Sequence, residues 1–475
     1  MNVVLIISDT LRRDRIGAYG ARWMHTPNMD RLASQSFVFD DAYVASFPTV
    51  PARKDLLTGR YCFTYDVWSP LGREEVILPE CLRSAGYVTQ MINDTPHISQ
   101  NGFFFDRGFD GWIWIRGQEN DRLRTDPLEL DLPCDARKLR GGAAGAARQH
   151  LRNTAARQRE AECFCAQTFS QAADWLERNY KCGKFFLYVD TFDPHEPWDA
   201  PQHYVDLYDA GYRGESVIYP RYDFIDYLSP AELRHAHALY CAEVTLVDRW
   251  LGHLLRRLDE LGLSDKTVVI LTSDHGFYHG EHRIIGKAII RARTRFWTPL
   301  WQEVARVPLM IRLPRARGGR RIRGYVQMTD LMPTILELAG AEVPRTCQGR
   351  SLLPLLRGRR VRLRRAAISS PCFKAGGGGC ISTITMGRWS LLHAPPDQTG
   401  GATTAEIDMI ERQTQILPEL YPGPLLYDLR EDPQQRRNLY RRHRDVARRL
   451  HAEFLRQLED LGTDESLIGP RRVLS

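Results

Sequence analysis

Short apolar runs alternate with longer amphipathic patterns along this chain, and the alternation limits the fold more than any other feature. The apolar runs are rich in β-branched residues and end in polar loops, and they cover 3–8, 87–92, 185–189, 267–271 and 308–311. The helical patterns cover 161–180, 230–261 and 328–338. Strands that alternate with helices predict an α/β fold in which helices flank a mostly parallel sheet.

Acidic residues follow three of the predicted strands directly. Asp9, Asp190 and Asp274 each come just after an apolar run. Ligands of open parallel sheets bind beyond the carboxyl ends of the strands. We therefore expect a ligand site at that edge of the sheet, close to these carboxylates.

The length of 475 residues is enough for one large domain and one smaller domain. We predict a catalytic α/β domain over 1–355 and a smaller C-terminal α+β domain over 356–475, with an antiparallel sheet and a terminal helix near 445–461. The stretch 116–160 is rich in Arg, Gly and Ala and interrupts the rhythm, which indicates an insertion. It could form an arginine-rich lid, but its composition favours a solvated surface excursion.

The net charge of +7 could attract anionic substrates, or it could reflect a solvated surface. Because the sequence contains no known nucleic-acid module and no apolar run of about 18 residues, we expect neither nucleic-acid nor membrane partners. The N-terminus lacks a basic region before its short apolar run, so we expect no signal peptide. Ten cysteines without a paired pattern then indicate a cytoplasmic protein. The sequence leaves open whether the protein forms a homo-oligomer.

Thr49 stands just before a predicted helix at 51–58. The backbone N–H groups and the dipole at a helix N-terminus favour an anion, so the hydroxyl would lie beside an anion site. Arg53 follows one helical turn later and can reach back toward Thr49. Farther along the chain, Lys287 would offer a compact positive charge. Arg53 and Lys287 could also be ordinary surface cations.

Asp9 and the pair Asp274-His275 form a candidate metal site. Two carboxylates and an imidazole from neighbouring strand ends could enclose one divalent ion. The imidazole favours Mn²⁺ over Ca²⁺, and Zn²⁺ stays open. The alternative interpretations are a turn residue for Asp9 and a hydrogen-bonded structural histidine for His275.

These segments, taken in order, resemble the sulfatase family. The stretch 46–60 is similar to the family's nucleophile signature, which reads Cys or Ser, any residue, Pro, Ser or Ala, Arg, then Leu-Thr-Gly-Arg. The stretches 8–20, 93–97, 191–198, 272–287, 328–340 and 426–439 resemble further family segments. The resemblance implies the alkaline phosphatase-like α/β fold and hydrolysis of a small anionic ester. His275 in place of an asparagine resembles the phosphonate monoester hydrolase branch.

The resemblance also implies roles for individual residues. It assigns catalysis to Thr49, Arg53, His195 and Lys287, substrate binding to His97 and Asn93, and metal binding to Asp9, Asp274, His275 and Thr49. The match around His97 is partial because the lysine that many sulfatases carry there is absent. His195 could alternatively be an incidental residue of a rigid, proline-flanked turn.

The residue at the nucleophile position limits the chemistry. Sulfatases oxidise a Cys or Ser there to formylglycine, whereas Thr49 is a secondary alcohol, so we expect no formylglycine. A formylglycine hydrate releases sulfate by breaking its own C–O bond, and a threonine sulfate lacks that exit. We therefore predict a metal-dependent hydrolase of a phosphodiester or a phosphonate monoester. The alternatives are a sulfuric ester hydrolase that uses unmodified threonine and a non-catalytic anion-binding relative.

Overall fold

The computed structural model describes residues 1–291, 294–315, 318–376, 380–396, 403–406 and 409–474. The chain forms two compact units. The first unit comprises Met1–Val38, Pro79–Gly286 and Pro308–Arg321, and the second comprises Phe39–Leu78, Lys287–Val307 and Ile322–Ser475. The boundaries of these units differ from those of the predicted domains 1–355 and 356–475. That division into domains stays a prediction.

The first unit is built around a mostly parallel sheet, which confirms the predicted fold class. Among the described residues it has eight strands, in the spatial order Arg320–Ile322, Phe37–Phe39, Leu309–Arg312, Thr267–Thr272, Asn2–Ser8, Phe185–Thr191, Val88–Asn93 and Gly111–Trp114. The last five of these strands run parallel to one another. Leu309–Arg312 pairs antiparallel with Thr267–Thr272.

The central strands of this sheet are continuous apolar runs because both of their faces are covered. Every residue of Asn2–Ser8, Phe185–Thr191 and Thr267–Thr272 is buried. The α-helices of the unit are Pro27–Ser34, Leu78–Ser84, Pro96–Ser99, Ala146–Thr154, Phe164–Asn179, Gln202–Asp209 and Pro230–Glu260. A smaller sheet contains Tyr278–His279, Ile284–Gly286 and Asp223–Phe224.

In the described part of the second unit, the strands form three smaller sheets. Their strands are Leu425–Asp428, Trp389–His393, Ser382–Met386, Ala367–Pro371 and Ser46–Phe47, then Ala288–Arg291, Thr294–Trp297, Met409–Gln415 and Thr403–Glu406, then Val326–Gln327 and Ala42–Tyr43. Its α-helices are Thr49–Thr58, Gln302–Ala305, Leu331–Ala339, Leu353–Leu356, Arg444–Asp460 and Glu465–Ile468. The helix Arg444–Asp460 lies where the sequence predicts a terminal helix. In the described part of the chain, no helix has the length and apolar character needed to span a bilayer.

The stretch 116–160 is packed more tightly than its composition predicts. Its residues 122–129 are exposed, whereas Gln118, Glu119, Asp121 and His150 are buried. The expectation of a solvated excursion is therefore wrong for these four residues. Burial is tolerated because their polar side chains meet charged or polar partners, as the Gln118 amide does in donating to Asp193 over 2.7 Å.

Candidate functional site

Three buried side chains at the carboxyl ends of parallel strands form a metal-sized cluster in the first unit. Asp9 follows the strand Asn2–Ser8, and Asp274 and His275 follow the strand Thr267–Thr272. Each residue offers one ligand atom, and these atoms all lie within 4.8 Å of one another. The structure thus brings together three of the four predicted metal ligands, and the role of Thr49 as the fourth stays a prediction.

The cluster is held in place by backbone contacts. Asp274 Oδ1 accepts hydrogen bonds from the Thr10 and His275 amides over 3.0 and 2.8 Å. His275 Nδ1 lies 2.9 Å from the Gly276 carbonyl oxygen, which assigns the proton to Nδ1 and leaves Nε2 as the ligand atom. Nε2 lies 3.4 Å from Asp274 Oδ2. The imidazole and the carboxylate therefore present adjacent lone pairs.

These residues fit a divalent cation. Two carboxylates buried close together repel each other and lose their hydration, and both costs fall when a cation lies between them. The donor set of two oxygens and one nitrogen suits borderline ions such as Mn²⁺ and Zn²⁺. Thr10 also belongs to the site, although the sequence did not suggest it. Its φ is 54°, and its amide donates a hydrogen bond to Asp274.

Thr49 is the first residue of a helix in the second unit, Thr49–Thr58, which we call the Thr49 helix. Every residue of this helix is buried. Lys287 Nζ lies 3.4 Å from Thr49 Oγ1, and Arg53 Nη1 donates to the Thr49 carbonyl over 3.2 Å. The structure therefore brings together three of the predicted catalytic residues, and two cations lie beside the first turn of the helix.

Asp55 fixes the start of the Thr49 helix to the residues around it. Its carboxylate accepts hydrogen bonds from the Ser46 amide and hydroxyl, both over 2.7 Å, and from the Cys62 amide over 2.8 Å. The Ser46 hydroxyl in turn accepts from the Phe63 amide over 2.8 Å. Asp55 thus ties the strand before Thr49 and the loop after the helix to one side chain.

His97 and His195 lie on either side of one phenylalanine in the first unit. The His195 ring stacks on Phe192 with centroids 4.0 Å apart, and the His97 ring meets Phe192 edge to face at 5.6 Å. His195 Nδ1 is 2.6 Å from the Glu196 carbonyl oxygen, so Nε2 is the nitrogen able to reach a substrate. Their predicted contacts with substrate stay predictions.

Asn93 is the last residue of its strand and is fully buried. Its Oδ1 accepts from the Ser99 hydroxyl over 2.9 Å, and its amide nitrogen is 3.5 Å from the Ile113 carbonyl oxygen. The contact with Ser99 supports the short helix Pro96–Ser99, which carries His97. The predicted role of Asn93 in substrate binding also stays a prediction.

Two acidic side chains and one arginine lie beside the histidines, and of these the sequence reasoning missed Glu119 and Arg140. Glu119 Oε2 lies 3.1 Å from His97 Nε2, and Glu196 Oε2 lies 3.3 Å from His195 Nδ1. Arg140 Nη2 lies 2.7 Å from Glu119 Oε1 and 3.1 Å from Glu196 Oε1. Glu119 and Arg140 belong to the stretch 116–160, where no motif marks them.

Known proteins that are similar to this chain include sulfatases and a phosphonate monoester hydrolase. A family model described as "Sulfatase" matches residues 1–341. The multifunctional alkaline phosphatase superfamily protein PehA of Trinickia caryophylli is 29% identical over 423 residues, which is 75% of this chain and 77% of the relative. An N-acetylglucosamine-6-O-sulfatase of Bacteroides thetaiotaomicron is 27% identical over 416 residues, 75% of this chain and 70% of the relative. A solved phosphonate monoester hydrolase of Silicibacter pomeroyi is 20% identical with a TM-score of 0.73, covering 97% of this chain and 95% of that one.

Proposed function

Because the chain belongs to the sulfatase family of metal-dependent ester hydrolases, we propose that it cleaves a phosphodiester or a phosphonate monoester with Thr49 as the nucleophile. The family as a whole hydrolyses esters of sulfate and phosphonate. The choice of phosphorus and the choice of Thr49 are the parts that we propose.

The observation that carries the proposal is the pair formed by Thr49 and Lys287. Thr49 is fully buried, Lys287 is 8% exposed, and their Nζ and Oγ1 atoms are 3.4 Å apart. A cation in a buried setting stabilises negative charge that develops on the hydroxyl oxygen. Arg53 lies in the same turn and adds a second positive charge. A solvated threonine on the surface would not be expected to have two cations, Lys287 and Arg53, packed beside it.

The proposed reaction proceeds in two displacements. Thr49 Oγ1 releases its proton to solvent and attacks phosphorus, the bond from phosphorus to the leaving oxygen breaks, and that oxygen takes up a proton from protonated His195. Water then attacks phosphorus and gives one proton back to His195, while the bond from phosphorus to Thr49 Oγ1 breaks and that oxygen takes up a proton from solvent, which restores the hydroxyl. A divalent ion bound by Asp9, Asp274 and His275 would supply Lewis-acid stabilisation of negative charge.

A sulfuric ester hydrolase is the second candidate. It is favoured by the relatives whose names denote sulfatases, which include the Bacteroides N-acetylglucosamine-6-O-sulfatase and a Clostridium perfringens arylsulfatase. Phosphorus remains our first choice because a phosphothreonine can be cleaved by water at phosphorus. A threonine sulfate cannot leave by the elimination available to a formylglycine hydrate.

A substrate panel separates the two candidates. Purified protein would be assayed with an aryl sulfate, an aryl phosphate, an aryl phosphodiester and an aryl phosphonate monoester, each with Mn²⁺, Ca²⁺ and Zn²⁺. We expect the highest kcat/KM for the phosphodiester or the phosphonate, with Mn²⁺. Turnover confined to the sulfate would refute the choice of phosphorus, and no turnover with any ester would favour a non-catalytic anion-binding protein.

The nucleophile is tested by a matched pair of variants. Thr49→Val keeps the shape of the side chain and removes only the hydroxyl, so we expect kcat to fall by about three orders of magnitude or more. Thr49→Ser keeps a hydroxyl and should retain activity within roughly tenfold of the wild type. Intact mass of the peptide that contains Thr49 should show an unmodified threonine. Full activity of Thr49→Val would remove Thr49 from the mechanism.

A further inference from the structure

We propose that Arg140 is a positioning residue. Through Glu119 and Glu196 it fixes the positions of the His97 and His195 rings relative to each other. The inference rests on the proposed roles of the two histidines at the substrate. Nothing in the family resemblance involves Arg140 or Glu119, which come from the stretch 116–160.

The two glutamates divide their oxygens in the same way. Glu119 uses Oε1 for Arg140 and Oε2 for His97, at 2.7 and 3.1 Å. Glu196 uses Oε1 for Arg140 and Oε2 for His195, at 3.1 and 3.3 Å. One guanidinium therefore contacts two carboxylates, and the second oxygen of each carboxylate lies within 3.3 Å of one imidazole nitrogen.

Arg140 is itself held from several directions. Its Nη2 contacts the Tyr219 hydroxyl, and its Cζ lies 4.1 and 4.2 Å from the ring centroids of Tyr219 and Tyr222. The Arg140 amide donates to the Tyr219 carbonyl over 3.0 Å. A guanidinium stacked on aromatic rings and bonded to two carboxylates has little freedom left to bind substrate. Its geometry suits support of its neighbours better than direct contact with an ester.

The tyrosines also donate hydrogen bonds to the glutamates. The Tyr219 hydroxyl donates to Glu119 Oε1 over 2.6 Å, and the Tyr222 hydroxyl donates to Glu196 Oε1. Burial alone would raise the pKa of Glu119, but His97, Arg140 and Tyr219 hold it at about 2. Both glutamates are buried, so removal of Arg140 leaves two carboxylates without their shared cation.

The loop 193–199, which carries His195, is also tied to the stretch 116–160 at points away from Arg140. Gln118 donates to Asp193 over 2.7 Å, His150 Nε2 lies 2.8 Å from Asp199 Oδ2, and Arg157 donates to the Asp199 carbonyl over 2.9 Å. These contacts remain when Arg140 is replaced. We therefore expect Arg140 variants to fold with the loop in place and with only the histidine geometry disturbed.

The test compares Arg140→Met, Arg140→Lys and a control, Arg137→Met. Arg137 lies in the same stretch with its side chain 89% exposed, so its loss should leave activity unchanged. For Arg140→Met we expect kcat to fall by about 10–100-fold because His195 is misplaced, and we expect KM to rise because His97 is misplaced as well. Millimolar guanidinium should restore part of the lost kcat, and the same concentration of methylammonium should not. Arg140→Lys should keep more activity than Arg140→Met.

A readout that needs no turnover separates this inference from the proposed function. With ¹⁵N-labelled histidine, the imidazole resonances of His97 and His195 should both shift in Arg140→Met at fixed pH, and neither should shift in Arg137→Met. Wild-type kinetics in Arg140→Met, a loss that guanidinium does not restore, or a shift of only one histidine would each overturn the inference. If Arg140→Met fails to fold, Arg140→Lys decides by the same resonances. If the wild type cleaves no phosphorus ester, the proposed function fails while the resonances still test the coupling.

Discussion

Lys287 Nζ lies 3.4 Å from the hydroxyl oxygen of Thr49, the predicted nucleophile. Helical periodicity could place Arg53 one turn from Thr49, since both residues lie on the same short helix. No local rule could place Lys287, because it approaches Thr49 only through the tertiary fold of the second unit. For single residues, the sequence identifies the candidate nucleophile and cations. It predicts how far apart two of them lie only when both belong to the same helix.

Replacement of Lys287 by methionine tests its role directly. Met keeps most of the length and apolar surface and removes the charge, so Oγ1 of Thr49 loses a stabilising neighbour 3.4 Å away. We expect kcat to fall by about 10²–10³-fold, which is the usual cost of losing one electrostatic stabiliser. Steady-state kinetics on the best ester of the panel would measure it, beside the exposed control Lys266→Met. An unchanged kcat in Lys287→Met would contradict the role.

Elements were predicted more completely than distances. The pattern at 51–58 predicts the Thr49 helix, and the structure begins it two residues earlier, at Thr49 itself. The apolar run at 308–311 predicts a strand, but only the structure shows that Leu309–Arg312 runs antiparallel to its neighbour. Strand direction depends on the path of the connecting chain, which hydrophobic patterns do not encode.

The Thr49 helix depends on Asp55 as an acceptor. In Asp55→Asn, one oxygen becomes an NH₂ group, so a donor must face the amide of Ser46 or of Cys62. We expect a loss of about 2–4 kcal/mol in the free energy of unfolding, because a buried donor is left unsatisfied. Urea denaturation would measure the loss against Asp460→Asn, whose side chain is 54% exposed and whose ion pair contributes little. Equal stability of the two variants would contradict the assignment.

Gly59 ends the same helix in a left-handed conformation with φ of 66°. A Cβ built there would lie 2.4 Å from the Cys347 Sγ atom. Gly86 has φ of 80° and no atom within 4 Å of such a Cβ, which makes it a matched control for the backbone cost alone. We expect Gly86→Ala to lose about 1 kcal/mol and Gly59→Ala about 2–4 kcal/mol in unfolding experiments. Similar losses in both variants would show that Cys347 moves aside freely.

At the scale of the whole molecule, the mostly parallel sheet follows from the alternation of strands and helices, and the relation to sulfatases follows from the order of the motifs. The stretch 116–160 was the least predictable part. Its buried charges are stabilised by partners distant in sequence, as Arg140 is by Glu196, and composition alone cannot reveal such pairs. Arginine-rich segments therefore need a structure before they are assigned to the surface.

Metal binding should change the stability of the folded protein. The ligands Asp9 and Asp274 come from distant parts of the chain, so the ion binds the folded state and has no comparable site in the unfolded one. At an Mn²⁺ concentration about 100 times Kd, linkage adds about 2.7 kcal/mol, which should raise Tm by about 3 °C for a chain of 475 residues that unfolds cooperatively. Calorimetry of chelator-treated protein, with and without Mn²⁺, would measure the increase.

Asp9→Asn should raise Tm in the absence of metal and reduce the increase of Tm that Mn²⁺ causes. Without metal, the variant should melt higher than the wild type, because it removes one of two negative charges that burial forces close together. With Mn²⁺, its Tm should rise far less than that of the wild type, because the ion loses an anionic ligand. The exposed control Asp265→Asn should match the wild type in both conditions. A higher Tm without metal together with a smaller increase of Tm on adding Mn²⁺ indicates a metal site. A merely structural Asp9 would instead make Asp9→Asn less stable whether or not Mn²⁺ is added.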